Sequence, residues 1–202
     1  MDTRRYLLLQ ASRLFLQKSY KEVTMKDLVE STGLSKGAFY HYFETKEQLF
    51  LEVLRYVFGE VLVHSYDTFS RESFYAFYHD YIDELGTLSD RYMKLFGAGE
   101  DDDGVNINYF TLAFDALKLF PEFREEMLRG QQEELRVWTG VIREARQTGE
   151  ISSVLTDYDI ARLFFFTNDG MALHQMMRKA GIHEMAAQFM ALWDNLYETL
   201  KA

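Results

Sequence analysis

Few side chains in this sequence stand at the spacings that covalent chemistry requires. Gly33-Leu34-Ser35-Lys36-Gly37 spells G-x-S-x-G, but a nucleophile elbow needs a strand before its serine and a helix after it. Here the element before Ser35 reads as a helix, and no aspartate–histidine partners are suggested. The histidines at 41, 64, 79, 174 and 183 form no H-E-x-x-H or other close metal pair. Glu100-Asp101-Asp102-Asp103 lacks the alternation of a calcium loop and reads as a solvated loop. The absence of cysteine excludes disulfides, thiolate-bound zinc and a thiol nucleophile. No phosphate loop or dinucleotide fingerprint occurs. The expectation is therefore no enzyme, no metal and no cofactor. A different chemistry open to residues of the first fifty is hydrogen bonding to nucleic acid. Lys36 suits guanine O6 or N7, and Gly37 permits close backbone approach. Thr24, Ser35, Tyr40, Tyr42 and Lys46 can reach phosphates.

Those residues must be positioned by short helices. Leu7, Leu8, Ala11, Leu14 and Phe15 form one helical face, predicting a helix over about 3–18. Thr24 is an N-cap with Asp27 three residues on, a capping-box pattern, and Val23 and Leu28 occupy the staple positions around it. Gly33 suits the left-handed position past a helix end. Ser35 then caps a third helix, with Leu34 and Phe39 as its staple. Phe39 and Phe43, four apart, can both point inward, leaving Lys36, Gly37, Tyr40 and His41 outside. Thr45, with Gln48 three residues on, caps a fourth helix expected to reach about Tyr66. Two short helices joined by a glycine-containing turn make a helix-turn-helix, whose second helix can enter the major groove.

The segments Thr24-Met25-Lys26-Asp27-Leu28-Val29, Gly33 to Phe43 and Thr45-Lys46-Glu47-Gln48-Leu49 together resemble the DNA-binding domain of TetR-family transcriptional regulators. The resemblance covers about residues 3–62, with departures at Ser19, Val29 and Glu44. It implies base contacts from Lys36, Gly37, Tyr40 and His41, and phosphate contacts from Thr24, Ser35, Tyr42 and Lys46. It also implies a homodimer on a palindromic double-stranded operator. Ligand binding in the body would pass through the fourth helix, so that the two recognition helices no longer match grooves about 34–36 Å apart.

Beyond the fourth helix the chain reads as a helical body. Ser70 is expected to cap a helix ending at Gly86, followed by a short helix over 90–96 and a loop over 97–104. Helices are expected over 108–120, from Pro121 to Gly149, over 157–180 and over 183–201, the last two divided by Gly181. Pro121 suits a first turn. Aromatic residues make up 16% of the chain, and most lie in this body. Phe74, Phe77, Tyr78, Tyr81, Tyr109, Phe110, Phe114, Trp138, Phe165, Asn168 and His174 are candidate pocket residues for an apolar or aromatic small molecule. Ordinary core packing would use the same residue types. Asn168 and Asp169 interrupt an apolar helix and face ligand, partner subunit or solvent. By the same family resemblance the last two helices form the dimer interface, with Phe164, Met171, Phe189, Trp193 and Leu196 as candidates.

The fold class is thus all-α, with about nine or ten helices. Residues 1–48 form a three-helix helix-turn-helix DNA-binding domain, the fourth helix over 45–66 links it onward, and 49–202 form the ligand-binding and dimerisation domain. One proline in 202 residues, where average usage gives roughly ten, agrees with a helical chain. Net charge is −10, with eight basic and six acidic residues in the first fifty and fourteen against twenty-six in the rest. That balance excludes coating of nucleic acid by bulk charge and describes a mildly basic head on an acidic body. Gln10, Ser12 and Arg13 interrupt the only leader-like stretch, and no apolar run is long enough to span a membrane, so a cytoplasmic location is expected. The function expected is a ligand-responsive DNA-binding regulator, a repressor released by a small molecule. The alternative is an all-α ligand-binding or protein-interaction module without specific DNA binding.

Overall fold

The structure, a computed structural model, describes residues 2–96, 107–178 and 182–202. Every regular element among them is a helix: α1 Thr3–Gln17, α2 Met25–Thr32, α3 Lys36–Tyr40, α4 Lys46–Tyr56, α5 Phe74–Phe96, α6 Ile107–Leu119, α7 Pro121–Gln147, α8 Asp157–Arg178 and α9 Ile182–Leu200. The expected loop over 97–104 and the break at Gly181 lie outside the described residues. Two compact units form, one from residues 2–63, 90–96 and 107–125, the other from 64–89, 126–178 and 182–202.

In the first unit α1 packs against α2, α4 and α6. Leu7, Leu8, Ala11 and Phe15 are buried on its inner face. The Phe50 ring meets Phe15 at 4.8 Å, Tyr20 at 4.6 Å and Phe120 at 5.3 Å. α6, expected in the body, thus packs with the N-terminal helices, because Leu112, Ala116 and Phe120 bury themselves there. The fourth helix also ends early. A π turn over Val57–Val61 closes α4, and Leu62 leaves helical geometry at φ −107 and ψ 18. Past it, Ser65 N donates to both carboxylate oxygens of Glu84 at 3.1 Å, and His64 Nδ1 lies 2.9 Å from Glu84. A helix to Tyr66 would forfeit those contacts.

The second unit is built around Trp138 and Trp193, whose rings meet edge to face at 5.4 Å. Phe74, Phe77, Tyr78 and Tyr81 of α5, Phe164 of α8 and Phe189 of α9 close on them, each no more than 1% exposed. α5 is one helix rather than two. Gly86 in a helix interior costs only about 1 kcal/mol, and Leu88, Tyr92 and Phe96 continue past it the buried face that Ile82 carries before it. α5 also starts later than Ser70, because its N–H groups find partners elsewhere. Ser73 Oγ accepts from Ala76 N at 3.0 Å. Phe74 N and Tyr75 N donate to the Glu150 carboxylate at 2.8 and 2.9 Å.

Glu150 therefore caps a helix 76 residues away, from a position just past Gly149, whose φ of 79° ends α7 as expected. It also accepts from the Tyr197 hydroxyl at 3.1 Å. Burial first, and then that hydrogen bond, push the Tyr197 hydroxyl up to about 12. The C-terminus is tied to the same turn, Ser152 N donating to Leu200 O and Ala202 N to Glu150 O. Replacing Glu150 by alanine is expected to cost about 1–3 kcal/mol, since it strands two helix-start donors and a hydroxyl. Urea midpoints measure the loss, and absorbance at 295 nm should show Tyr197 ionising at lower pH.

Candidate nucleic-acid interface

The turn between α2 and α3 follows from three local chemistries. Thr24 Oγ accepts from Asp27 N at 3.2 Å while Thr24 N donates to Asp27 Oδ2 at 2.9 Å, a closed capping box. The Thr24 hydroxyl hydrogen also goes to Asp27 Oδ2, at 2.7 Å. These bonds from Thr24 hold the Asp27 carboxyl below the usual carboxylate range. Gly33 ends α2 at φ 68°, the left-handed region where a side chain is disfavoured. Ser35 starts α3, its Oγ accepting from Ala38 N at 3.3 Å.

α3 has only five residues, so it stands on anchors. Phe39 is fully buried and Phe43 is 1% exposed, and Val23 and Leu28 of the preceding staple are fully buried. That sets Ser35, Lys36, Gly37 and His41 outward on the exposed side, with Tyr40 and Tyr42 half-buried beside them. The Lys36 ammonium lies 5.7 Å from the Tyr40 ring centre, and the His41 and Tyr42 rings meet at 5.3 Å. At Gly37 an added Cβ would meet nothing within 4 Å, so the helix presents bare backbone there. This juxtaposition of a cation, a phenol, an imidazole and open backbone fits base edges in a major groove.

Two expected phosphate contacts are engaged within the chain. Thr24 gives its one hydroxyl hydrogen to Asp27, so it has none for a phosphate. Lys46 is half-buried, donating to Tyr20 O and Val23 O, both at 3.0 Å, with the Tyr20 ring centre 4.3 Å away. One of its three N–H groups remains for DNA. Ser35 uses a lone pair on Ala38 N, which leaves its hydroxyl hydrogen for a phosphate.

Tyr20, which the sequence did not single out, organises this corner. Its hydroxyl donates to Glu47 at 2.9 Å, and its backbone N–H donates to Asp115 of α6 at 3.1 Å. Burial and then the Glu47 carboxylate push the Tyr20 hydroxyl well above the ordinary phenol range. Glu47 moves the other way, lowered by its backbone N–H at the start of α4 and then by Tyr20. These partners lie 27 and 95 residues apart, so no local pattern signals them.

The candidate pocket residues separate. Phe74, Phe77, Tyr78, Tyr81, Trp138 and Phe165 are packed core of the second unit. Tyr109, Phe110 and Phe114 belong to the first unit, Phe114 being 58% exposed. Asn168 is half-buried and donates to the Tyr81 hydroxyl at 3.0 Å, while Asp169 and His174 are exposed. The candidate interface residues also differ from expectation. Phe164, Phe189 and Trp193 are fully buried within their own chain, and Met171 and Leu196 pack against that core. They close the second unit because α8 and α9 must cover the rings of α5 and α7. The outward residues are Leu163, Phe166, Leu173 and Met177 of α8 and Leu192 of α9, 40–68% exposed. No group of three potential metal ligands occurs among the described residues.

Two helices joined through a left-handed glycine, the second anchored by buried rings and polar outside, define a helix-turn-helix DNA-binding protein. Residues 7–53 match the family model described as bacterial regulatory proteins, tetR family. Over 191 residues the chain is 25% identical to the HTH-type transcriptional regulator YfiR of Bacillus subtilis, covering 92% of this chain and 87% of that one. Over 54 residues it is 43% identical to the HTH-type transcriptional repressor KstR2 of Mycolicibacterium smegmatis, 26% of each chain. Its fold matches the crystal structure of a TetR-family transcriptional regulator from Cytophaga hutchinsonii, with a TM-score of 0.72, 16% identity, and coverage of 99% of this chain and 95% of that one. Residues 7–53 thus match the DNA-binding segment of bacterial tetR-family regulatory proteins, and the chain as a whole shares the fold of a TetR-family regulator.

Lys36 and Lys46 should separate contact from architecture. Lys36→Ala is expected to leave stability within about 0.5 kcal/mol of wild type. Lys46→Met, which strands two carbonyls, should cost about 1–3 kcal/mol. Thermal denaturation of both variants checks this.

Proposed function

We propose that this regulator is a homodimeric repressor that binds a palindromic DNA operator and is released from it by a small molecule. The observation that carries the reading is the row of exposed Lys36, Gly37 and His41 with half-buried Tyr40, set by a helix and turn that Phe39 and Phe43 anchor. Residues 1–48 hold the DNA contacts, and 49–202 serve ligand binding and dimerisation. Lys36 and Gly37 meet base edges with Tyr40 and His41. Ser35, Tyr42 and the remaining N–H of Lys46 meet phosphates. The acidic remainder of the chain is repelled by DNA, which confines contact to the head.

The dimer face is the outward stripe of α8, Leu163, Phe166, Leu173 and Met177, with Leu192 of α9. The α8 residues recur at helical spacing, and all five leave apolar surface exposed that a second copy would cover. No helix among the described residues is long and apolar enough to cross a membrane, which agrees with the cytoplasmic location proposed for a DNA-binding protein.

Footprinting on DNA flanking its own gene tests the regulator. Wild type should protect two half-sites about one helical turn apart, and the double variant Lys36→Ala/Tyr40→Ala should lose protection while remaining dimeric. Absence of any protected fragment at low salt would instead favour a ligand-binding or interaction module. Light scattering tests the dimer. Phe166→Glu/Leu173→Glu should yield folded monomers, and a persistent dimer would place the interface elsewhere.

A further inference from the structure

Phe74, Phe77, Tyr78, Tyr81 and Trp138, which suggested a ligand pocket, are packed ring on ring, and a cavity among the described residues lies on another side of α7. It measures about 510 Å³ and opens to solvent, within the range of roughly 300–1,000 Å³ typical of small-molecule sites. Leu135, Arg136, Thr139, Gly140 and Arg143 of α7 line it together with Tyr158 of α8.

Spacing explains its shape. Arg136, Gly140 and Arg143 stand at i, i+4 and i+7, on one helix face. Gly140 has no side chain, and a Cβ there would meet nothing within 4 Å. The groove floor is therefore bare helix between two arginines whose backbone positions stand about 10 Å apart along the axis. Thr139 turns its hydroxyl back to Leu135 O at 2.6 Å, so its polar group is satisfied within the helix. Leu135 and the exposed Tyr158 ring supply apolar wall.

The two arginines have donors to give. Arg146, one turn further on, is engaged at each of its three nitrogens, with Nε on Asp157, Nη1 on Ser153 O and Nη2 on Leu155 O, each at 2.8 Å. With Asp157 Oδ1 taken by Arg146, Arg143 has Oδ2 of the same carboxylate at 3.6 Å. Arg136 pairs through Nη1 with Glu133 one turn back. Both side chains are more than 60% exposed. A third arginine, Arg162, lies over the Tyr158 ring at 5.7 Å. Arg162 also pairs with Asp159 at 3.5 Å, so Arg136 and Arg143 are the two arginines that line the groove, in a region where acidic residues outnumber basic ones by twelve.

We propose that this groove binds an amphipathic organic anion, its acidic headgroup held by Arg136 or Arg143 and its apolar body laid on Gly140, Leu135 and Tyr158. Arginine forks match a carboxylate with paired hydrogen bonds. The acidic surroundings disfavour a polyanion such as DNA. That the bound anion also regulates rests on the repressor reading above, whereas its binding does not.

Calorimetric titration of the full-length protein with decanoate tests the site, with decan-1-ol and decyltrimethylammonium as neutral and cationic counterparts. Decanoate should bind saturably, and both counterparts at least roughly tenfold more weakly. Arg136→Gln/Arg143→Gln should weaken decanoate at least roughly tenfold. Gly140→Leu, which fills the floor and favours the helix, should abolish binding without lowering the melting temperature. The proposal is overturned by no decanoate binding to wild type, by equal binding of the alcohol, or by unchanged binding in Gly140→Leu. Dissociation of the dimer in these variants, with no decanoate bound by wild type, would assign the groove to a second copy and also overturn it. Footprinting with and without decanoate separates the two readings. Saturable binding that leaves operator protection unchanged removes the regulatory role and keeps the site.

Discussion

Two buried phenylalanine rings hold the element on which the DNA-binding reading depends. A helix of five residues has no stability of its own, since isolated helices shorter than roughly 12–15 residues are marginal in water. Phe39 and Phe43 fix its axis by burying one side of it. Thr24, Gly33, Ser35 and Thr45 fix where the flanking helices stop and start. Lys36, Gly37, Tyr40 and His41 then emerge in a defined row, although none of them contributes to the core. Recognition chemistry is thereby separated from stability: the outward side chains can vary with the operator while the rings and caps keep the helix in place.

The remainder of the first unit braces that arrangement. Tyr20 stands at its corner, with its ring against Phe15, Phe50 and Phe120, its hydroxyl on Glu47 and its backbone N–H on Asp115. Lys46 fastens the same loop from the start of α4. α6 thus touches the head through a hydrogen bond as well as through Leu112, Ala116 and Phe120. In the second unit Glu150 has a comparable place, joining the start of α5 to Tyr197 of α9.

What the sequence made legible was local. Capping boxes, staples and helix-ending glycines act within four residues, so Thr24, Gly33, Ser35, Thr45, Pro121 and Gly149 could be assigned from spacing alone. Local spacing is overridden where distant partners decide. Gly86 looked like a stop, but a glycine penalty is small beside the buried face that continues through Leu88, Tyr92 and Phe96. α4 looked longer because its apolar stripe runs on, but Glu84 captures the chain beyond Leu62. Phe164, Phe189 and Trp193, dimer-interface candidates by family resemblance, instead cover rings that α5 and α7 supply. The same limit applies to single side chains: Lys46 is a surface cation by composition and a loop clasp by contact. The groove on α7 was invisible because it needs Tyr158 beside Arg136 and Arg143, a pairing set by how α8 lies on α7.

The central claim is that Lys36, at the start of α3, reads a base edge. Methylation interference at guanine N7 on an operator fragment tests it most directly. Wild-type protein should be excluded by methylation at one symmetric pair of guanines, and Lys36→Ala should bind more weakly but no longer discriminate at that pair. Equal interference in both proteins, or none at any guanine in wild type, would contradict it.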